Sequence, residues 1–315
     1  MTLVDVLVIS DKYDFTTDFV CIELEKRKVK YLRLNRDEFY KYKIQVDTNS
    51  FDINVIVKNN QYIVSDEKLK AIYYRAPVFL RETNQTEQRT IEKQLYDEQW
   101  MSFVRNLLIF ENAVWVNNPE KTYKAENKIL QLKYAKELGF NIPYTLVTNT
   151  NVKLEDERYV IKSLDTAFFY MGEKEGFVYS NILKKDEIEN ANINLAPITI
   201  QELINPKTDI RVTVVGTEVF ATAITSKGKG VDIDWRIVKD DVEFTTISLP
   251  LDIETKCIQL VESLGLKFGA MDLLKTENGE YIFLEINPTG EWAWLVHTTG
   301  QSIPQALVDI LVRKQ

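Results

Sequence analysis

The sequence predicts an α/β protein whose two or three lobes share one site, and three observations predict it. The chain has 315 residues, 45% of them hydrophobic, which is enough for more than one core. It opens with an apolar run, an amphipathic stretch and a second apolar run, the order of a β-α-β unit. Its last third carries paired apolar segments around Gly216-Thr217 and Asn278-Gly279, which read as antiparallel hairpins.

In chain order, residues 3–9 are nearly all apolar and read as a buried parallel strand. Residues 14–28 carry Phe15, Phe19, Ile22 and Leu24 at helical spacing, and residues 30–34 read as the next strand. The intervening Ser10-Asp11-Lys12-Tyr13 has no glycine, so a dinucleotide-binding turn is excluded, and no GxxxxGK[ST] phosphate loop occurs anywhere in the chain. Residues 53–57 and 62–64 read as a small hairpin around Asn59-Asn60. Residues 71–74 form a strand ending in Arg75-Ala76-Pro77. Ligands of open α/β sheets gather at the carboxyl ends of strands, which gives Arg75 a substrate-facing place; the plain alternative is a surface arginine before a proline turn. Residues 87–110 read as a long amphipathic scaffold helix with Ile91, Leu95, Phe103 and Leu107 on its apolar face.

Residues 114–116, followed by Asn117-Asn118-Pro119, read as the seam to a second lobe, so the expected domains are 1–117, 118–200 and 201–315. Residues 122–138 read as a helix burying Ile129, Leu132 and Ala135 and capped by Gly139. Strands follow at 144–147, 159–162 and 198–204, with a glycine-bearing flap or hairpin at 163–180 and a short charged helix at 184–190. Residues 209–215 and 218–225 flank Gly216-Thr217, and a polar loop at 226–234 precedes Trp235-Arg236. A helix at 252–264, closed by Gly265, feeds the last hairpin, and residues 303–312 form a closing helix.

Composition removes several function classes. A net charge of −8 argues against broad nucleic-acid binding, though not against a local basic pocket. No apolar run approaches the roughly 20 residues of a membrane-spanning helix. The first residues run straight into a strand and there are only two cysteines, so neither a secretory signal nor a disulfide framework is expected, and the natural compartment is the cytosol. The sole histidine, His297, excludes a site with two His ligands.

The most informative stretch is residues 268–290, FGAMDLLKTENGEYIFLEINPTG. A two-residue turn at Asn278-Gly279 would set Glu277 opposite Glu280, Lys275 opposite Ile282 and Asp272 opposite Glu285, with Asn287 on the same face beside Ala270. Like charges directly opposed destabilise a sheet, so the pair needs a reason, and a hard cation supplies one. Two carboxylates and an amide oxygen suit Mg²⁺ shared with substrate phosphates. The plain alternative is a solvated hairpin, against which stand the apolar neighbours expected on that face, Ala270, Leu274 and Phe283.

A Mg²⁺ site without a phosphate loop needs cations for a nucleotide's phosphates and a strand edge for its base. Lys128 on a helix and Lys162 at a strand end could neutralise phosphate, although each alone reads as well as a solvated charge. Residues 199–203 could present backbone groups to an adenine, with Gln201 or Glu202 adding a contact.

The motif order then resembles the ATP-grasp superfamily, and within it the ribosomal-peptide maturases that make graspetides such as the microviridins. The resemblance spans the whole length. It rests on YYRAP (73–77), ENK (126–128), VIK (160–162), QEL (201–203), DIRVTVVG (209–216), DWR (234–236), AMDLL and LEINPTGEWAW. It implies an ATP-grasp fold with an N-terminal α/β lobe, a central lobe and a C-terminal lobe. By that resemblance Lys128 and Lys162 match the nucleotide-phosphate lysines. Glu202 and Leu203 match the adenine hinge, and Asp272, Glu285 and Asn287 match the Mg²⁺ ligands. Arg211 and Arg236 match arginines that face the transferred phosphate or the substrate carboxylate; the plain alternative pairs them with Asp209 and Asp234. Family members use ATP and Mg²⁺ to convert Asp or Glu side chains of a precursor peptide into acyl phosphates, which Ser or Thr hydroxyls or Lys amines attack to close ω-ester or ω-amide rings. They are expected to be homodimers that need a leader segment, with residues 163–190 as its candidate binding region. Trp292 and Trp294 read as core aromatics behind the metal loop. A RimK-like ligase adding amino acids to a protein tail, and a nucleotide-binding module without turnover, are the competing readings.

Overall fold

The computed structural model describes residues 1–75, 90–164, 168–171, 174–177, 180–231, 235 and 240–313. The opening β-α-β unit is present. Val6–Ser10 and Tyr31–Asn35 pair in parallel across the helix Phe15–Lys26, and Ala71–Tyr74 and Val114–Val116 complete a four-stranded parallel sheet. The helix starts where Asp14 accepts the Thr17 amide at 3.2 Å, a cap for one of the donors the first turn leaves unpaired. The apolar run at 3–9 divides, however. Thr2–Leu3 joins a second sheet with Asn60–Val64, Ile53–Val57 and Tyr42–Val46, and only Val6 onward enters the parallel sheet.

The scaffold helix runs over Ile91–Asn106, but Ile91 is 81% and Leu95 56% exposed, so the expected buried face fails at its N-terminal turns. The packed side is formed instead by Val104 and the half-buried Tyr96, Trp100 and Phe103, with Trp100 stacked on Phe39 at 4.5 Å between ring centres. The helix expected at 122–138 is two, Pro119–Ala125 and Lys128–Glu137. Asn118 and Asn127 each cap one of them, and two caps require a break between. The break turns Ile129 outward, at 55% exposure, while Ala135 stays buried and Gly139 terminates the second helix at φ +79°.

The middle sheet is antiparallel, in the order Asn181–Lys184, Arg158–Lys162, Ile198–Glu202, Thr145–Thr148. Phe168–Met171 and Lys174–Phe177 form the hairpin expected in the flap region. The last sheet has five antiparallel strands, Glu243–Ile247, Glu218–Thr225, Lys207–Val215, Phe268–Thr276 and Tyr281–Asn287. Its core face packs on the helix Leu251–Ser263 and also on Ala125, Ala135 and Phe140. The segment from 119 to 140 thus shares a core with the third expected domain rather than the second, and the strand Ile198–Glu202 lies wholly in the middle sheet although it crosses the expected 200/201 boundary. The helix Ala293–Thr299, not foreseen, and Ile303–Val312, foreseen, pack back on the N-terminal lobe. Among the described residues no helix is long and apolar enough to cross a membrane.

Candidate functional site

The hairpin that carries the carboxylates reaches the expected pairing by an unexpected route. Its loop holds three residues, 277–279, with the Gly279 amide on the Thr276 carbonyl and the Thr276 amide on the Glu280 carbonyl, both at 3.0 Å. Gly279 sits at φ +83°, the left-handed conformation that closes such a loop. Lys275 therefore faces Tyr281, and not Ile282, one place off the two-residue register. An extra residue restores it. Leu273 faces Phe283, Asp272 faces Glu285, and Leu284 between them is a β-bulge. Asn287 then falls opposite Ala270 as expected. The bulge corrects one neighbour: Phe283 turns to the core and packs on Phe140 at 5.6 Å, and Leu284 lines the site in its place.

On the other flank the strand register sets Arg211 opposite Asp272, with Nε 3.1 Å from Oδ1, and Lys128 Nζ lies 3.4 Å from Glu285 Oε2. Four charges thus stand in a row, Arg211, Asp272, Glu285 and Lys128, cation outside and carboxylates inside. Arg211 is 8% exposed and its guanidinium lies 5.8 Å from the Trp294 ring centre. Asp209 pairs with Lys207, so the plain alternative of an Asp209–Arg211 pair is not what forms. Arg236 and Asp234 lie outside the described residues.

The two carboxylates of this row, Asp272 and Glu285, line a solvent-open cleft of about 830 Å³ between the middle and last sheets, walled by Lys162, Gln201, Leu203, Trp235 and Leu274 among others. A smaller adjoining space adds Lys128 and Thr199 beside Lys162 and Glu285, so both lysines line the space that Glu285 faces. Gln201 is buried and donates to the Thr145 hydroxyl at 2.9 Å. Glu202 accepts the Tyr144 amide at 3.0 Å, so its carboxylate secures the neighbouring strand, and what residues 201–203 offer the cleft is chiefly backbone edge and the Leu203 side chain.

Arg75 is placed differently from the other cations. Its side chain is 6% exposed, with Nε 3.0 Å from Asp14, Nη2 2.8 Å from Glu291 and Nη1 3.4 Å from the Gly290 carbonyl. Burial alone would raise the Asp14 carboxyl, but the Arg75 guanidinium and the Thr17 hydroxyl hold it below its ordinary value. The fork is occupied within the protein and ties the N-terminal lobe to the loop after Asn287. Trp292 is fully buried, as expected, whereas Trp294 is half-buried against Trp235 and Phe244, with ring centres 5.5 and 4.9 Å away. Asn117 and Gln131 were not singled out as site residues, yet both bond the backbone of the carboxylate hairpin. Gln131 sits one turn before Ala135 on the helix's buried side, and a polar residue there was the available signal.

The donor set fits a hard cation. Asp272 and Glu285 present carboxylate oxygens to the cleft, while the side-chain oxygen of Asn287, opposite Ala270 on the same strand face, accepts the Thr289 amide at 2.9 Å and the Thr289 hydroxyl at 3.2 Å and would exchange these for a cation. Among the described residues no group of three or more His, Cys, Asp or Glu is placed to hold a metal ion.

No protein-family model and no curated protein sequence matches the chain. Solved structures do. The macrocyclase MdnC from Microcystis aeruginosa MRC, bound with precursor peptide MdnA, is 25% identical over 100% of both chains with a TM-score of 0.84. A RiPP-associated ATP-grasp ligase from Chryseobacterium gregarium, in complex with ADP and a leader and core peptide, is 24% identical over 99% of this chain and 96% of that one, with a TM-score of 0.83. The ATP-grasp ligase PsnB, complexed with minimal precursor, Mg and ADP, is 19% identical over 99% and 98%, with a TM-score of 0.74. The chain has the ATP-grasp fold, and its whole length follows that of peptide-modifying ligases.

Proposed function

We propose that this ATP-grasp ligase closes rings in a ribosomally made precursor peptide, activating Asp or Glu side chains with ATP and joining them to Ser or Thr hydroxyls or Lys amines. The observation that carries the reading is the carboxylate pair Asp272–Glu285 lining the cleft, flanked by Arg211 behind Asp272 and Lys128 beside Glu285, with Lys162 on the cleft wall. Phosphoryl transfer to a carboxylate needs positioning and charge neutralisation rather than a protein nucleophile, and no Cys or His lines the cleft among the described residues.

Lys128 and Lys162 hold the nucleotide's phosphates, and the edge at Gln201–Glu202–Leu203 takes the base. Asp272, Glu285 and Asn287 would hold Mg²⁺, which would supply charge neutralisation for the phosphates. Arg211, kept in place by Asp272 and the Trp294 face, and Arg236 orient the substrate carboxylate, since the guanidinium fork matches two oxygens. The carboxylate attacks the γ-phosphorus and ADP leaves; the hydroxyl or amine attacks the acyl carbon, and phosphate leaves with the bond electrons and takes up the proton that the nucleophile loses. Leu284, Leu274 and Trp235 give the cleft apolar walls that limit access of competing water. A cytosolic homodimer that grips a leader through residues 163–190 belongs to the same proposal. The two buried, unbridged thiols support its reducing compartment.

The test is to mix the purified chain with ATP, Mg²⁺ and a leader-bearing peptide rich in Thr/Ser and Glu/Asp, then to follow ADP and peptide mass. ADP release with loss of one water per ring, without added amino acid, is expected. A mass gain by a free amino acid would turn the reading to tail ligation, and bound nucleotide with no ADP under any peptide would turn it to a binding module.

A further inference from the structure

Side chains from three separate places grip the segment that carries the cation ligands, and they grip it at alternate residues. Gln131, 2% exposed, donates to the Ile286 carbonyl at 2.8 Å and accepts the Ile286 amide at 3.0 Å. Asn117, 1% exposed, donates to the Pro288 and Phe268 carbonyls, each at 2.8 Å, and accepts the Lys267 and Phe268 amides at 2.8 and 3.1 Å. Arg75 reaches the Gly290 carbonyl at 3.4 Å. The held residues are thus 286, 288 and 290, and the ligands at 285 and 287 alternate with them.

That placement is more than packing requires. Tyr281–Asn287 is the edge strand of its sheet, so the outward amide and carbonyl of Ile286 have no strand partner, and Gln131 stands in for one. Asn117 uses both its donors and both acceptor positions, all on backbone, and joins the beginning of one hairpin strand to the exit of the other. Its chain neighbour Val116 and its partner Phe268 are buried and apolar, so the backbone groups that Asn117 holds would go unpaired beside an apolar side chain. Successive residues of an extended strand face opposite sides, so holding the Ile286 backbone keeps Glu285 and Asn287 together on the face of Asp272, and the bond to Pro288 fixes the turn that follows.

We propose that Gln131 and Asn117 are positioning residues for the divalent-cation ligands, setting the direction of Glu285 and Asn287 through the backbone between them. The proposal rests on the reading of Asp272, Glu285 and Asn287 as those ligands. Outer partners that orient metal ligands typically contribute 10–100-fold in affinity, and a grip on the backbone belongs near the lower end, about tenfold.

Mn²⁺ serves as the probe, titrated by electron paramagnetic resonance into the full-length wild type, Asp272→Asn, Gln131→Met and Asn117→Ser, with ADP affinity measured separately without metal. Gln131→Met and Asn117→Ser are expected to raise the Mn²⁺ Kd about tenfold while metal-free ADP binds as before. A lowered Tm with an unchanged Mn²⁺ Kd would make both residues merely structural and overturn the proposal. Mn²⁺ binding Asp272→Asn as tightly as wild type would overturn the ligand reading itself, a different failure. If neither variant folds, hydrogen exchange on the metal-free wild type decides. The Ile286 amide must exchange as slowly as that of buried Val214, and fast exchange at Ile286 overturns the proposal.

Discussion

Asp272 carries two duties that a substitution can separate. It faces Glu285 across one strand pair and compensates the nearly buried Arg211 across the other. Removing one partner of a buried pair leaves the other charge unpaired, at a cost of about 3 kcal/mol, less here because Asp272 keeps 22% of its side chain in solvent. Asp272→Ala is therefore expected to lower both Tm and ADP release. Glu285→Gln, whose partner Lys128 is one-third exposed, should cut ADP release about 10²-fold with Tm unchanged. Equal Tm losses in the two variants, or unchanged turnover in either, would contradict the assignment. Asp14 predicts a pH dependence. Its carboxyl is lowered in the folded chain, so the stability it contributes is present above its unfolded value and is lost as pH falls through the folded one. Asp14→Asn should thus lower Tm at pH 7, and the gap to wild type should close as pH is taken below about 4. A gap that stays constant with pH would show that the Arg75 clamp contributes nothing through charge. The site residues were legible because each type announces its chemistry. Arg75 was harder, since a strand-end arginine looks the same whether it faces a substrate or Asp14.

The hairpin shows what a strand pattern can and cannot reveal. Asn278-Gly279 identified the turn, and alternation identified the two faces, but loop length and the bulge at Leu284 are each one-residue matters that a period of two leaves open. The two shifts cancel at Asp272–Glu285, so the pair was read correctly while Phe283 was placed on the wrong face. The strand exit offers a test of how tightly this geometry is set. A Cβ on Gly290 would lie 2.5 Å from the Ala270 Cβ and 3.3 Å from that of Asn287. Gly290→Ala should therefore cost about 1–3 kcal/mol and displace Asn287, seen as a higher Mg²⁺ requirement for ADP release. Ala270→Gly removes the colliding methyl and should restore much of both. Failure of that second substitution to rescue would place the fault in the backbone of Gly290 rather than in the contact. The single helix expected at 122–138 fails for a related reason: a helical period does not mark the break, and Asn127 in its capping role is what signals that a new helix begins at Lys128.

At the scale of the whole molecule, periodicity predicts which segments are helices and strands but not which lobe receives them. The parallel sheet of the first lobe is covered on one side by Phe15–Lys26 and by the last helix of the chain, whose Ile303, Leu307 and Leu311 share a core with Val6, Val8, Val20 and Ala71. Arg27 bridges to Asp309 across the same contact. The chain's end thus completes its beginning, and Phe268 and Trp292 of the site region join that core. No local pattern carries such information, because Leu307 would be equally apolar against any partner. The seam at Asn117 therefore divides the sequence without dividing the fold. A fragment of residues 1–117 leaves Val6, Val8 and Ala71 facing water and should not give a cooperative thermal transition. In the intact chain Leu307→Ala, at a site of 0% exposure, should cost about 2–5 kcal/mol. Because the core it opens also holds Trp292, the loss should appear as one shifted transition reported alike by far-ultraviolet circular dichroism and by tryptophan fluorescence. Two resolved transitions, with only the first moving, would mean that the N-terminal lobe unfolds by itself and that the cleft does not depend on the chain's closure.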